Sequence, residues 1–385
     1  MNILCVNTSL GTRAGGGAAE RTFQLSKHLA YQPNTCCQVL VLNLDLDLSR
    51  IEDCESVEVI PIDVLWKRFY VPIFWSRRIY KAVIKAEAIH LMGHWTILNA
   101  IVYILARYHK KPYLFCPAGA LPLFGRSLIL KRIYNVLIGR SIVKHAAFCI
   151  AITKKEVSDY LSYGVNLSDI KIIPNGVVFN SYIDKAKSLS KAELLGRFHL
   201  SNTIKYILFM GRLNPIKGPD ILLEAFAEIC SELPNVHLIY CGPDGGMLNE
   251  LKERSIELNI ENLVHYVGHV DGVIKASFYQ YADILVVPSR QEAMSIVALE
   301  AGIYKTPALV TRECGLPEIE AIHSLLEAPA NAGCLGRKLL TLFADPKLLY
   351  QLGISWNEYV VRNYAWSVVV KMYLNLFFSL KLNGK

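Results

Sequence analysis

Short apolar runs rich in Val, Ile, Leu and Tyr recur along the chain and alternate with longer stretches in which apolar positions return every three to four residues. The short runs predict strands at residues 3–7, 38–43, 88–92, 113–116 and 148–152, and a second series at 205–210, 237–241, 263–267, 283–288 and 308–311. Between them, stretches such as 18–30 and 219–230 carry one apolar stripe and one polar face, as helices packed on a core do. Strand–helix alternation implies parallel sheets covered by helices, and two series imply two doubly wound α/β domains. The turn signal Pro174-Asn175-Gly176 follows an apolar run at 171–173, and a polar, helix-prone segment at 184–198 leads into the second series. The expected division is a first domain at 1–178, a second at 179–355, and a helical segment at 356–385 open to packing on either, including back on the first.

Composition supports this picture and excludes others. Of 385 residues, 52% are hydrophobic and 19% charged, enough apolar material for two cores and too much for a disordered chain. The formal charge of +8 is unevenly placed. Residues 61–150 hold 14 Lys and Arg against two acids, Asp63 and Glu87, a local +12; the rest, 27 basic against 31 acidic residues, is at −4. The basic half is expected to face something anionic. Its segments DVLWKRFYVPIFWSRRIYKAVIK and LPLFGRSLILKRIYNVLIGRSIVK mix aromatic and aliphatic residues with Lys and Arg, which suits an anionic membrane surface; the alternative is a pair of amphipathic helices with solvated basic faces. No nucleic-acid recognition motif accompanies the charge, so nucleic acid is not the expected partner.

The ten cysteines are scattered without a Cys-x-x-Cys pair, as expected of buried thiols in a reducing cytosol. The start, MNILCVNTSLGTRAGGG, reads as a strand entering a glycine loop rather than as a signal peptide. No charge-free apolar run reaches about 18 residues, so no membrane span is expected. The expected location is the cytoplasm, peripheral on the inner face of the cell membrane.

Ligands of doubly wound sheets bind beyond the carboxyl ends of the strands, and four such exits in the second half carry suitable chemistry. Residues 289–302 read SRQEAMSIVALEAG, with Glu292 expected in the strand–helix loop and Glu300 in the second helical turn among apolar neighbours. A carboxylate in such company needs a partner, which the chain itself need not supply. The backbone N–H groups of Ala293, Met294, Ser295 and Ile296 are expected to be free donors at a positive helix end. A second exit, GRLNPIKGPDILLEAF, sets Arg212 and Lys217 about a turn that opens a helix at Pro219, an arrangement suited to a diphosphate. CGPDGG and VGHV supply glycines, Gly242 and Gly268, that permit close approach of a ligand.

In this order, GRLNPIKG, CGPDGG, VGHV, the two glutamates of QEAMSIVALEAG and then TPALVTRECGLPEI, the chain resembles the retaining family 4 (group 1) glycosyltransferases, most strongly from about residue 205 to 318. The resemblance implies the GT-B architecture of two facing Rossmann-like domains and a nucleotide-sugar donor. It implies that Glu300 takes the ribose hydroxyls, that Glu292 holds the donor sugar near its reacting carbon, and that Arg212 and Lys217 neutralise the departing diphosphate. Glu292, Arg212 and Lys217 are then the catalytic residues, with Ala293 to Ile296, Gly242 and Gly268 around the donor. Gly16 and Gly17, in a glycine loop before the first helix, are implied near the donor phosphate; the loop is no dinucleotide fingerprint, because Glu20 stands where the last glycine belongs. His94, past the third strand of the first series, is either a turn histidine or an acceptor contact.

The chain departs from the family in reading Glu-Ala-Met-Ser where a Glu-Gly-Phe-Gly-like motif is usual, and in carrying Cys116 and Ala118 where His or Arg is common. Asp45-Leu46-Asp47 looks like a metal-binding Asp-x-Asp but lacks its context, so neither metal nor cofactor is expected. The function implied is transfer of a sugar from a nucleotide sugar to a glycan or lipid-linked acceptor, in bacterial surface polysaccharide synthesis. A nucleotide-sugar epimerase on the same scaffold and a non-catalytic nucleotide-sugar binder are the alternatives.

Overall fold

A computed structural model of the chain describes residues 1–44, 56–66, 69–73, 76–123, 127–178 and 189–382. The chain divides into two units, residues 1–176 with 366–385, and residues 177–365.

The first unit is built on a parallel sheet of β1 (Asn2–Val6), β2 (Cys36–Leu42), β3 (Val57–Ile62), β6 (Ala88–Met92), β7 (Tyr113–Cys116), β8 (Phe148–Ala151) and β9 (Ile170–Ile172), in the order β3-β2-β1-β6-β7-β8-β9. A short antiparallel pair, β4 (Val64–Trp66) and β5 (Val71–Pro72), stands apart from it. The central strands are buried along their length, Ala88 to Met92 without exception, as strands covered on both faces must be. Pattern reading missed β3 because Glu58 and Pro61 interrupt VEVIPI; both are tolerable because β3 lies at the sheet edge.

The helix Thr12–Ala30 follows β1 and breaks at Gly16, whose φ of +50° and ψ of −141° no helix contains. The regular turns therefore run from Gly17, close to the expected start. The helix Trp366–Leu382 packs on it. Arg21, fully buried, donates to the carbonyls of Ile173 and Pro174, to Asn175 Oδ1 and to the Tyr373 hydroxyl, at 2.7–2.8 Å. The Trp366 ring covers Gly176, where a Cβ would meet it at 2.5 Å.

The second unit is a parallel sheet of β10 (Lys205–Met210), β11 (Val236–Cys241), β12 (Val264–Gly268), β13 (Ile284–Val287), β14 (Ala308–Thr311) and β15 (Glu327–Ala328), in the order β12-β11-β10-β13-β14-β15. It keeps the ten residues 356–365 that sequence reading assigned to the tail: Trp356, in the helix Pro346–Tyr364, is fully buried and donates its indole N–H to the Ala298 carbonyl at 2.8 Å. Each main sheet starts from a central strand, grows to one side, and then reverses to grow to the other. The reversals fall between β1 and β6 and between β10 and β13, and loops leaving such a pair part to open a crevice. Among the described residues no helix is long and apolar enough to cross a membrane.

Candidate functional site

The loops after β10 and β13 are locked together before any ligand is considered. Beyond β10 the chain passes Arg212 into a 3-10 turn, Pro215–Lys217, and the helix Pro219–Ile229 begins one residue later. Asn214 Oδ1 accepts the Lys217 amide at 3.0 Å, and Gly218 is left-handed at φ +65°. A Cβ on Gly218 would lie 2.1 Å from the Pro288 carbonyl oxygen, so only glycine lets the two loops touch. Arg290 closes the same seam. Its amide donates to the Ile216 carbonyl and its guanidinium to Pro215 O, both at 2.7 Å, while its two terminal nitrogens span the Asp220 carboxylate at 2.8 and 2.5 Å.

Within this frame Lys217 Nζ lies 2.8 Å from Glu292 Oε1, with the Lys217 side chain one-third exposed and that of Glu292 only 7% exposed. The Ser289 hydroxyl donates to the same oxygen, and the Glu292 amide donates to the Glu313 carbonyl at 2.9 Å. The acid is thus fixed by a cation, a hydroxyl and its own backbone. Arg212 is exposed, its stem lies against Gly245, and its guanidinium makes no ion pair among the described residues. Among the described residues the site therefore holds one neutralised cation, Lys217, and one available cation, Arg212, at a strand exit.

Glu300 corrects an expectation. Its side chain is 25% exposed, and the protein supplies partners for both oxygens: Lys275 Nζ at 2.7 Å from Oε1, and the Tyr279 hydroxyl, which donates to Oε2 at 2.7 Å. Lys275 and Tyr279 stand four residues apart on the helix Gly272–Tyr281, hence on one face of it. Burial and the neighbouring carboxylate push the Tyr279 phenol far above its usual range, so it stays a donor. Each carboxylate oxygen keeps a second lone pair, and Glu300 can still accept from a ligand hydroxyl. The spacing in KASFY marks Lys275 and Tyr279 as neighbours on one helix face, but nothing in the sequence ties them to Glu300, and the Arg290–Asp220 clamp, 70 residues apart, had no sequence signal either.

Two further expectations change. The Ser295 amide is not free, because it donates to the Cys314 carbonyl at 2.9 Å, which leaves Ala293 and Met294 as the loop amides without a backbone acceptor among the described residues. Ile296 opens the helix Ile296–Ile303, and the Ser295 hydroxyl is buried without a partner among the described residues. Gly242 does not open the loop after β11 to a ligand: a Cβ there would lie 1.9 Å from the Gly211 carbonyl oxygen, so the space belongs to the protein. Gly268, at φ +82°, does face open space, which suits backbone contact with a flat ligand. Burial pushes the Cys314 thiol up to about 12, so it is no nucleophile near neutrality.

In the first unit Gly16 and Gly17 are exposed beyond β1. His94 does not present itself to a ligand. It is 1% exposed, lies edge-on to Trp95, Phe115, Tyr134 and Tyr163, and neither ring nitrogen has a partner in good hydrogen-bond geometry among the described residues. Burial holds it down to about 4, and Asn135 offsets part of that. The aromatic cage, not an acceptor, accounts for its place. Burial likewise pushes Cys116 up to about 11. Asp45 and Asp47 lie outside the described residues, among which no group of three or more His, Cys, Asp or Glu side chains is placed to hold a metal ion.

Comparison with known proteins bears on both units. The model described as "Glycosyl transferases group 1" matches residues 192–355, and that described as "Glycosyltransferase Family 4" matches 15–180. A D-inositol 3-phosphate glycosyltransferase of Corynebacterium efficiens is 27% identical over 236 residues, 58% of this chain and 54% of that protein. D-inositol 3-phosphate glycosyltransferase 2 of Catenulispora acidiphila is 28% identical over 310 residues, 74% of this chain and 71% of that protein. The first of these matches spans about half the relative's length. Among solved structures, Anabaena Alr3699/HepE in complex with UDP superposes at a TM-score of 0.79 with 17% identity, covering 99% of this chain and all of that one. The same protein is also solved with UDP-glucose, at a TM-score of 0.77 and 18% identity, over 99% of this chain and all of that one. WaaG, a glycosyltransferase of lipopolysaccharide biosynthesis, superposes at 0.65 with 17% identity, over 97% of this chain and 98% of that one.

Proposed function

The chain belongs to the group 1, family 4 glycosyltransferases of GT-B fold, and from that premise we propose that it is a retaining, metal-independent enzyme moving a sugar from a nucleotide sugar to a glycan or lipid-linked acceptor of a surface polysaccharide. The observation that carries the reading is the Lys217–Glu292 ion pair at the β10/β13 reversal, with Arg212 available beside it. A diphosphate leaving group needs cations where its charge develops, and Arg212 and Lys217 stand at that strand exit. Glu292, ion-paired to Lys217 at 2.8 Å, accepts sugar hydroxyls next to the carbon that loses the diphosphate in this reading. Glu300, braced by Lys275 and Tyr279, accepts the ribose hydroxyls, and Gly268 meets the base through its backbone.

In the reaction the bond from the anomeric carbon to the diphosphate oxygen breaks, and its electron pair leaves on that oxygen under the two cations. The acceptor hydroxyl oxygen bonds to the same face of the carbon, and its proton passes to the departing phosphate oxygen. Removing one such stabilising group costs about 10²–10³ in rate. The UDP and UDP-glucose complexes of the structural neighbour support a uridine nucleotide as the first donor to try. The names of the neighbour WaaG and of the inositol phosphate relatives support a glycan or phosphorylated acceptor.

The test is nucleoside diphosphate release from a panel of nucleotide sugars, with and without saccharide or lipid-linked acceptors and with chelator present. The reading expects acceptor-dependent release unaffected by chelator, and a product whose anomeric configuration, read by NMR, matches the donor. An epimer formed from donor alone, or binding with neither transfer nor slow hydrolysis, would overturn it.

A further inference from the structure

The two basic, apolar segments of the first unit behave differently once folded. The helix Arg77–Lys85 buries Ile79, Ala82 and Val83 and turns Arg77 and Arg78 outward, as an ordinary amphipathic helix does. The helix Leu128–Tyr134 buries nothing. It runs on through a wide π-type turn, Asn135–Gly139, into Arg140–Lys144, where Ile142 and Val143 re-enter the core. Along its outer side Leu128, Ile129, Leu130, Ile133, Val136 and Leu137 are each 41–80% exposed.

This crest is held outward. The Tyr134 hydroxyl donates to the Thr96 carbonyl at 3.0 Å, Asn135 and Gly139 are buried beneath the run, and a Cβ on Gly139 would meet the His94 ring at 3.2 Å. The run therefore cannot sink to cover its own apolar side chains. Six adjacent exposed aliphatic side chains mark a surface that is covered when the protein works.

The charge says by what. Residues 127–144 contain Lys131, Arg132, Arg140 and Lys144 and no acid, within the stretch that carries the local +12. A second copy docked face to face would set these cations against themselves, whereas an anionic headgroup layer takes them while the aliphatic crest enters below it. We propose that the outer face of residues 128–137 inserts into the interface of an anionic lipid surface and holds the first unit there.

Flotation with vesicles tests this, using the full chain. It is expected to float with phosphatidylcholine mixed with phosphatidylglycerol, less with phosphatidylcholine alone, and less as salt rises. The triple variant Ile129→Ser, Val136→Ser, Leu137→Ser is expected to lose about tenfold or more in partitioning. The control Tyr80→Ser, Ile84→Ser, on the helix that buries its apolar side, is expected to stay within about twofold. Melting temperature and nucleoside diphosphate binding, the latter assigned to residues in 177–365, report whether the variants remain folded; failure here would leave the proposed donor chemistry standing. No flotation with the anionic vesicles, equal loss in the control, or a concentration-dependent dimer that the triple variant abolishes would each overturn the proposal.

Discussion

Glu300 shows how a carboxylate in apolar company is kept. Val297, Ala298, Leu299 and Ala301 surround it in sequence, yet its oxygens meet Lys275 and Tyr279. The need for a partner was legible; that the protein meets part of it was not, because the partners lie 21 and 25 residues upstream on another helix. If Glu300 binds ribose, Glu300→Ala should raise the nucleotide-sugar Kd by about ten- to a hundredfold, the loss of charge-assisted hydrogen bonds. Glu292→Ala should instead lower kcat more than affinity, by about 10²–10³; calorimetry and steady-state rates separate the two. Buried titratable groups set a pH signature in the first unit. His94, held to about 4, and His90, held to about 3 by burial and then by Arg21, stay neutral in the fold while the unfolded chain takes up protons below about 6.5. Stability is therefore lost as pH falls from about 6.5 toward those values. Glu156 acts oppositely: burial raises it to about 7, so the fold keeps a proton that the unfolded chain releases above about 4.5, and stability falls as pH rises across that window. Urea denaturation from pH 4 to 8 should show a flatter acid limb for His94→Phe and a smaller loss toward pH 7 for Glu156→Gln; unchanged profiles would refute the assignments.

At the scale of elements, the site is a set of strand exits pressed against one another. Strand and helix periodicity located β1, β2, β6, β7 and β8 and most of the second series, because strands buried on both faces read as unbroken apolar runs. It missed the edge strands β3 and β15, where Glu and Pro are allowed. The glycines were visible in sequence but their purpose was not. Gly242 looks like an opening for a ligand, yet it and Gly218 each give up a side chain to another loop's carbonyl oxygen, 1.9 and 2.1 Å from where Cβ would stand. Gly218→Ala should therefore part the β10 and β13 loops, with a stability loss of about 1–3 kcal/mol from the left-handed backbone alone and weaker donor binding. A fully stable Gly218→Ala protein with native affinity, measured by denaturation and calorimetry, would contradict this account of the seam.

At the scale of the whole molecule, each unit winds its sheet in both directions from one central strand, and Arg212, Lys217 and Glu292, the residues proposed to hold the donor, gather where the second sheet reverses. The chain's return to its first unit through the helix Trp366–Leu382 was left open by sequence; Arg21, fully buried among the carbonyls of Ile173 and Pro174, Asn175 and the Tyr373 hydroxyl, fixes it there. Tyr373→Phe should cost about 1–3 kcal/mol, the penalty for leaving a buried charged donor unmet, and speed hydrogen exchange in that helix before the second unit is affected. The donor site and the lipid-facing crest fall in different units, so each can be disabled without the other. The central claim is that the β10 and β13 exits hold a nucleotide sugar. Titration calorimetry of the intact chain with UDP-glucose and other nucleotide sugars, beside Arg212→Ala and Glu300→Ala, tests it most directly. At least one donor should bind the native protein, with affinity falling about tenfold or more in each variant. Binding that survives both substitutions undiminished, or no binding of any nucleotide sugar, would contradict it.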